Sequence, residues 1–301
     1  MDFIRTYYTK AKAFLKAHLA ARIAAGILVV FAALWLILHP IGTKTFLLLG
    51  MDNFGSLEEI GRSDVTMLVQ VDFTRSRLST VTFARDMFIE NENGYLTKIN
   101  TIVKNKGEQG LCDLIEQNFG VHVDGWFRVN FTSVVQLVDA IGGVEIELTR
   151  AEANYIDQKE GTYPLYPLSE GLCHMNGAQA LAYARCRKLD NDLGRGERQS
   201  KLISAAVRQT RHLTAKRVAD VFTTLKHAWR SSYSLPEQIR LAFQALWLRG
   251  AKVQSFGVPF EGYWRYDSVR GTSGIVADLW ENKVLLLDAL GRPAPEATPV
   301  P

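Results

Sequence analysis

The stretch TMLVQVDFTRSRLSTVTFA, residues 66–84, is two runs of β-branched and aliphatic residues joined by the polar turn TRSR. Such a pattern predicts a β-hairpin, with strands over 66–73 and 78–84. Working outward, WFRVNF (126–131), GVEIEL (143–148) and KVQSFGVP (252–259) read as further strands. Between the first two of these, SVVQLVDAI (133–141) carries a helical period and is closed by Gly142-Gly143. ERQSKLISAAVRQTRHL (197–213), VADVFTTLKHAWR (218–230), LPEQIRLAFQALWLR (235–249) and TSGIVADLWENKVLLLDAL (272–290) place apolar residues three and four apart and predict amphipathic helices. Strand and helix therefore interleave along the chain. The fold class expected is α/β, a mixed central β-sheet flanked by helices.

The 301 residues are 47% hydrophobic and 22% charged, enough for one large packed domain with appendages. No internal repeat and no second domain boundary is visible in the main body. The N-terminal forty residues differ in composition, because Ile23 to Leu38 contains no charged side chain. A transmembrane helix over 23–39 is expected, with Arg22 snorkelling and Trp35 at the interface. LILHPIGTK after it offers no small-x-small cleavage site, so an anchor is favoured over a cleaved signal peptide. Arg5, Lys10, Lys12, Lys16 and Arg22 precede the span, and the first basic residue after it is Lys44. This asymmetry predicts a cytoplasmic arm over 1–22 and an extracytoplasmic domain over 44–290, followed by a Pro-rich tail over 291–301. Of 35 basic and 31 acidic residues, five basic and one acidic lie in that arm, so the outer domain is near neutral. A nucleic-acid partner is accordingly not expected. Cys112, Cys173 and Cys186 all fall in the outer domain, where oxidation is permitted. Cys112 and Cys173 are read either as a disulfide pair or as two separate buried residues, and no spacing suggests zinc.

The chain contains no phosphate-binding glycine loop, no HExxH and no GxSxG elbow, so its chemistry must rest on arginines, aspartates and amides. YARCRKLDNDLGRGERQ, residues 183–199, gathers four arginines in one short segment. If YARCR is a strand, Arg185 and Arg187 project from one face and Cys186 points into the core. Arg195, Arg198 and Gln199 sit at helical spacing and can share one face of the following helix. Guanidinium forks grip phosphate oxygens in pairs at any working pH, so strand and helix start are expected to converge on one anion. The bland alternative is a solvated, salt-bridged surface. In LGMDNFGSLEEIGRSD, Asp52 follows a strand end and Asp64 opens the next strand, a pair of hard oxygen donors suited to magnesium, with Arg62 between them.

Taken in order and spacing, LLLGMDNFGSLEEIGRSDVTMLVQVD, TVTFARDMFIE, TKIN, FGVHVDGWFRVNFTSVVQLVDAIGGVEIEL and GLCHMNGAQALAYARCRKLDNDLGRGERQ resemble the LytR-CpsA-Psr family. The resemblance runs from Phe46 to Leu213 and returns around Ile275 to Leu290. It implies a membrane-anchored phosphotransferase that attaches a glycopolymer such as teichoic acid or capsule to peptidoglycan. The donor it implies is a polyprenyl-pyrophosphate-linked glycan, and the metal is Mg2+, or Mn2+ in its place. A non-catalytic polyprenyl-phosphate-binding or regulatory protein, or a lipid pyrophosphatase, is the alternative. By the same resemblance Arg85 stands nearest the scissile pyrophosphate, and Asp86 beside it is either its structural partner or a catalytic group that draws the proton from the acceptor hydroxyl. Arg62, Lys98, Asn100, Arg185, Arg187, Arg195, Arg198 and Gln199 are then pyrophosphate-binding, and Asp52 and Asp64 hold the metal. Ala84 departs from the proline usual before Arg85, which affects the local turn and leaves the charges intact. Asp139 is expected to be structural.

Overall fold

A computed structural model describes residues 18–19, 22–31, 40–52, 56–58, 61–159, 168–186, 189, 192–210, 212–225 and 227–293. The chain divides into two units, Met1–Pro40 and Ile41–Pro301. In the first, a helix α1 is described over 22–31, with Ile27, Leu28 and Phe31 exposed. Most of the expected arm and the second half of the expected 23–39 span lie outside the described residues. Among the described residues no helix is long and apolar enough to cross a membrane.

The second unit opens with strands β1 (Thr43–Met51), β2 (Ser63–Asp72), β3 (Arg77–Phe83), β4 (Met87–Glu90) and β5 (Leu96–Lys98). Helix α2 (Ile99–Phe119), β6 (Gly125–Val129), α3 (Phe131–Ala140), β7 (Val144–Leu148) and α4 (Arg150–Lys159) follow. Then come β8 (Gly171–Met175), α5 (Gly177–Ala184), α6 (Asp192–Thr210), α7 (Ala215–Leu225), β9 (Arg230–Ser231) and α8 (Leu235–Gln244), which runs into a 3-10 turn over Ala245–Gly250. The chain closes with β10 (Lys252–Val258), β11 (Trp264–Val269), β12 (Thr272–Ala277) and α9 (Leu279–Ala289).

The main sheet has the order β10-β3-β2-β1-β6-β9. β2 is antiparallel to both β1 and β3, whereas β1 pairs with β6 and β3 with β10 in parallel. The hairpin expected over 66–84 is therefore the centre of the sheet. Alternation along β1 sends Leu47 and Leu49 into a core shared with Ile102, Ile115 and Phe119 of α2 and Leu286 of α9. The opposite face meets α3, α5 and α6, whose core includes Val138, Tyr183, Leu202 and Ala205. Helices thus cover both faces, as expected for this class. α3 ends as read from the sequence, since Gly142 and Gly143 take φ of 89° and 85°, a region that L side chains avoid.

Two expectations change, and of the two readings of the cysteines the separate, buried one holds. The segment around YARCR is not a strand: Tyr183 and Ala184 close α5 and Arg185 caps it. Asn176 and Gln179 form a capping box, and the alanine-rich run packs its apolar side chains into the helical core, so helix wins over alternation. TSGIVA, read as the start of a helix, is strand β12, paired with β11 and β4. The helix begins only after Asp278, whose side chain accepts from Glu281 N. All three cysteines are free and buried, and Cys112 and Cys173 belong to different cores, so they do not pair.

Candidate functional site

β1, β3, β6 and β10 run in one direction and end on one edge of the sheet, Gly50 beside Val129 and Phe83 beside Val258. β2 starts at that edge. In open α/β sheets the crevice outside the carboxyl ends of strands is where ligands bind. Asp52 follows β1, Asp64 is the second residue of β2, and Arg85 lies two residues beyond β3. Strand direction thereby gathers three charged residues that are dispersed in the chain.

Arg85 Nε lies 2.6 Å from Asp64 Oδ1, and its Nη1 is 3.9 Å from Asp86 Oδ1. Asp86 is held from behind, 3.8 Å from Lys98 Nζ and accepting a 3.3 Å hydrogen bond from Asn100 Nδ2. Asn100 is buried in the first turn of α2, so Lys98 and Asn100 fix the carboxylate that backs Arg85. Arg185 lies over the Phe131 ring at 4.0 Å and is 3.8 Å from Asp52 Oδ1. That stacking restricts the guanidinium plane while leaving it half exposed. Arg195 and Gln199, one helical turn apart near the start of α6, are buried and face the same place. The positive end of the α6 dipole adds to the attraction for an anion there.

Two cavities meet at these residues. One, of about 810 Å³, has Asp52, Asp64, Arg185, Arg195 and Gln199 among its lining and is otherwise walled mainly by Leu48, Val65, Val134, Leu181 and Ile203 and their apolar neighbours. The half-buried state of Leu48 and Gly50 on β1 is explained by this space behind the sheet. The other cavity, of about 1030 Å³, is more polar and shares Asp64, Arg195 and Gln199 with the first; Arg85 also lines it.

Not all of the expected residues converge. Arg62 is exposed before β2 and lines neither cavity. Arg187 lies outside the described residues. Arg198 turns away from Arg195 and Gln199: its Nε is 2.9 Å from Glu152 Oε1 and its Nη1 donates to the Cys186 carbonyl at 3.0 Å. Burial pushes the Glu152 carboxyl up, but hydrogen bonds from Thr149 and the Arg198 partner outweigh it and hold the pKa below its usual value. Asp139 is structural, accepting from Gly177 N at 2.7 Å and so tying the end of α3 to the start of α5. Sequence reading missed Glu152 and Phe131. Neither has a local signal, because each acts on a residue more than 40 positions away.

Fold and site define an α/β protein whose sheet edge carries an arginine-lined cleft continuous with an apolar chamber. The chain belongs to the LytR_cpsA_psr family, whose sequence model matches residues 30–281. It is similar to the polyisoprenyl-teichoic acid–peptidoglycan teichoic acid transferase TagV of Bacillus subtilis, 26% identical over 204 residues. That match covers 65% of this chain, which spans 50% of the relative's length. Among solved structures, TagT bound to LIIa-WTA superposes with a TM-score of 0.67 at 24% identity, covering 83% of this chain and 91% of that one. TagT with bound octaprenyl pyrophosphate lipid superposes with a TM-score of 0.62 at 22% identity, again over 83% and 91%. These likenesses show that the fold is shared.

Proposed function

We propose that the chain is a phosphotransferase that moves a glycopolymer from a polyprenyl-pyrophosphate carrier to peptidoglycan, leaving a phosphodiester link. The observation that carries this reading is the position of Arg185, Arg195 and Gln199 in the lining of an apolar chamber, with Arg85 beside them on the adjoining cavity, paired to the shared Asp64. A molecule matched to both parts has a long hydrocarbon tail and a dense anionic head. Burying the tail contributes about 0.8 kcal/mol for each CH2, and the arginines offset the charge of the two phosphates. The teichoic acid transferase relative and the lipid-bound neighbour support the same assignment.

In this reading Arg85, held by Asp64 and Asp86, faces the scissile pyrophosphate, and Arg195 and Gln199 hold its oxygens from the α6 side. Arg185 is half exposed, so an incoming phosphate can take the place of Asp52 beside it. An acceptor hydroxyl oxygen bonds to the glycan-side phosphorus as the bond to the bridging oxygen breaks. The lipid monophosphate leaves with the electron pair and takes up the hydroxyl proton. Positioning and preorganised charge do most of the work in such a transfer. Lys98 and Asn100 act through Asp86, and Arg198 acts by bracing α6 against Glu152. Asp52 and Asp64 line one cavity and supply hard oxygen donors, a set that fits a magnesium or manganese ion completed by water and substrate phosphate. Such an ion would neutralise phosphate charge when bound. The apolar run at 23–38 and the basic residues before it support an anchored protein with this domain outside the cytoplasmic membrane.

The test is to supply purified protein with a lipid-pyrophosphate-linked glycan, magnesium and peptidoglycan fragments, and to follow lipid monophosphate and linked product. Wild type is expected to form both, and Arg85→Ala to form them at least about 10²-fold more slowly. Lipid monophosphate without linked product would identify a pyrophosphatase. Binding of donor with no cleavage by wild type would overturn the enzymatic reading in favour of a lipid-binding regulator.

A further inference from the structure

α6 separates the two cavities, and its faces differ in chemistry. Leu202, Ile203 and Ala206 face the apolar chamber, whereas Gly196, Ser200, Ser204 and Arg208, four residues apart in succession, run down the side of the larger cavity. Gly196 and Ser200 bring this side close to β3: a Cβ at Gly196 would sit 3.1 Å from the Thr82 methyl, and the Ser200 and Thr82 hydroxyls lie 3.0 Å apart. Arg195 and Gln199 at the head of the helix reach both spaces.

We propose that the larger cavity is the acceptor cleft, a reading that rests on the transferase function above. Displacement at phosphorus needs the incoming oxygen and the leaving oxygen roughly in line. Two substrates that enter the two cavities approach each other at Asp64, Arg195 and Gln199, the residues both spaces share, from different sides of α6. The cleft also suits a glycan strand and not the donor. Arg85 and Arg195 line only its head, where the two spaces meet; beyond them Glu147, Glu170, Glu197 and Glu261 line it against Lys201 and Arg208. The carboxylates accept hydrogen bonds from sugar hydroxyls and amides, and they repel the polyanionic donor, so charge sorts the two substrates. Phe256 and Phe260 present aromatic surface for the C–H face of a sugar ring.

The experiment compares full-length wild type with variants on the two sides of α6, titrating donor and soluble peptidoglycan glycan fragments separately. Glu197→Gln is expected to raise the KM for the glycan acceptor about tenfold, as for loss of one hydrogen bond to a charged group, and Phe260→Ala to raise it through loss of the ring contact, both with donor KM unchanged. Leu202→Trp, which narrows the apolar chamber, is expected to raise donor KM with acceptor KM unchanged. Thermal melts identify any variant that fails to fold, and Phe260→Leu then replaces Phe260→Ala. A rise in donor KM alone for Glu197→Gln and Phe260→Leu overturns the acceptor cleft while leaving the transferase reading intact. Failure of wild type to cleave the donor at all overturns both.

Discussion

At the scale of single residues, the site separates arginines that face the cavities from arginines that hold the scaffold. Arg85 belongs to the first group, and Arg85→Ala is expected to lower turnover by about 10²- to 10³-fold, as when one preorganised donor to developing charge is removed. Steady-state kinetics on the lipid-linked donor measures this, with unchanged thermal stability as the control. Arg198 belongs to the second group. Its partner Glu152 lines the larger cavity and keeps its hydrogen bonds from Thr149, so Arg198→Ala removes the counter-charge alone and is expected to cost about 1–3 kcal/mol in chemical denaturation. The same pair sets a pH dependence. The Glu152 carboxyl lies lower in the folded protein than its ordinary 4.5, so the pair stabilises the fold above that pH, and the contribution fades as pH falls through the folded value. Glu152→Gln is expected to be less stable than wild type at neutral pH and to show a flatter decline on acidification. Equal slopes in the two proteins would remove Glu152 from this role.

At the scale of elements, the crossing of α3 and α5 is what aims Arg185. Gly177 opens α5 against the backbone of α3, and a Cβ there would fall 2.7 Å from Val135 Cα and closer still to its carbonyl oxygen. Backbone cannot swing aside as a side chain can. Gly177→Ala is therefore expected to destabilise by about 1–3 kcal/mol or more and to weaken donor binding by shifting Arg185 on Phe131. Denaturation curves and donor KM read the two effects separately; an Ala variant as stable as wild type would show that α3 and α5 are free to separate. Helix identity at α5 was legible only in part. YARCR has the alternation of a strand, but its first two residues complete a capped helix that began at Gly177, and the cap outranks the local alternation. In the same way β12 was hidden in a stretch with helical spacing, because its pairing with β4 is nearly 190 residues distant in sequence.

For the whole molecule, burial decides the state of the cysteines. Desolvation pushes the Cys112 thiol up to about 12, with nearby Asp113, Glu108 and Glu116 adding to the effect, so the reactive thiolate is scarce at neutral pH. Three free thiols are expected to react with an aromatic disulfide reagent in denaturant and to be protected in the native protein. Two fewer thiols in denaturant would restore the disulfide reading. Topology is tested by a reporter fused after Pro301, which is expected to be active outside the cytoplasmic membrane; activity in the cytoplasm would contradict the anchored arrangement. The central hairpin, β6, β7, β10, α3, α6 and α8 were readable, because each is coded by a continuous run of side-chain pattern, whereas the 21-residue α2 was not read, its helical run being interrupted at Gly107.

The sequence by itself determined the interleaved α/β class, the central hairpin, the asymmetry of charge around the apolar N-terminal run, and the identities of Asp52, Asp64, Arg85, Arg185, Arg195 and Gln199 as the groups of interest. The first three are properties of composition and period, whereas the choice of residues, Arg85 above all, follows from the resemblance of the motifs and their order to the LytR-CpsA-Psr family. Only the tertiary structure decided which arginines share a space. Arg195 and Arg198 are three residues apart on one helix, yet one faces the cavities and the other is bound to Glu152. The reason is that a helix fixes the angle between two side chains, whereas the partner waiting at each angle is supplied by a distant part of the chain.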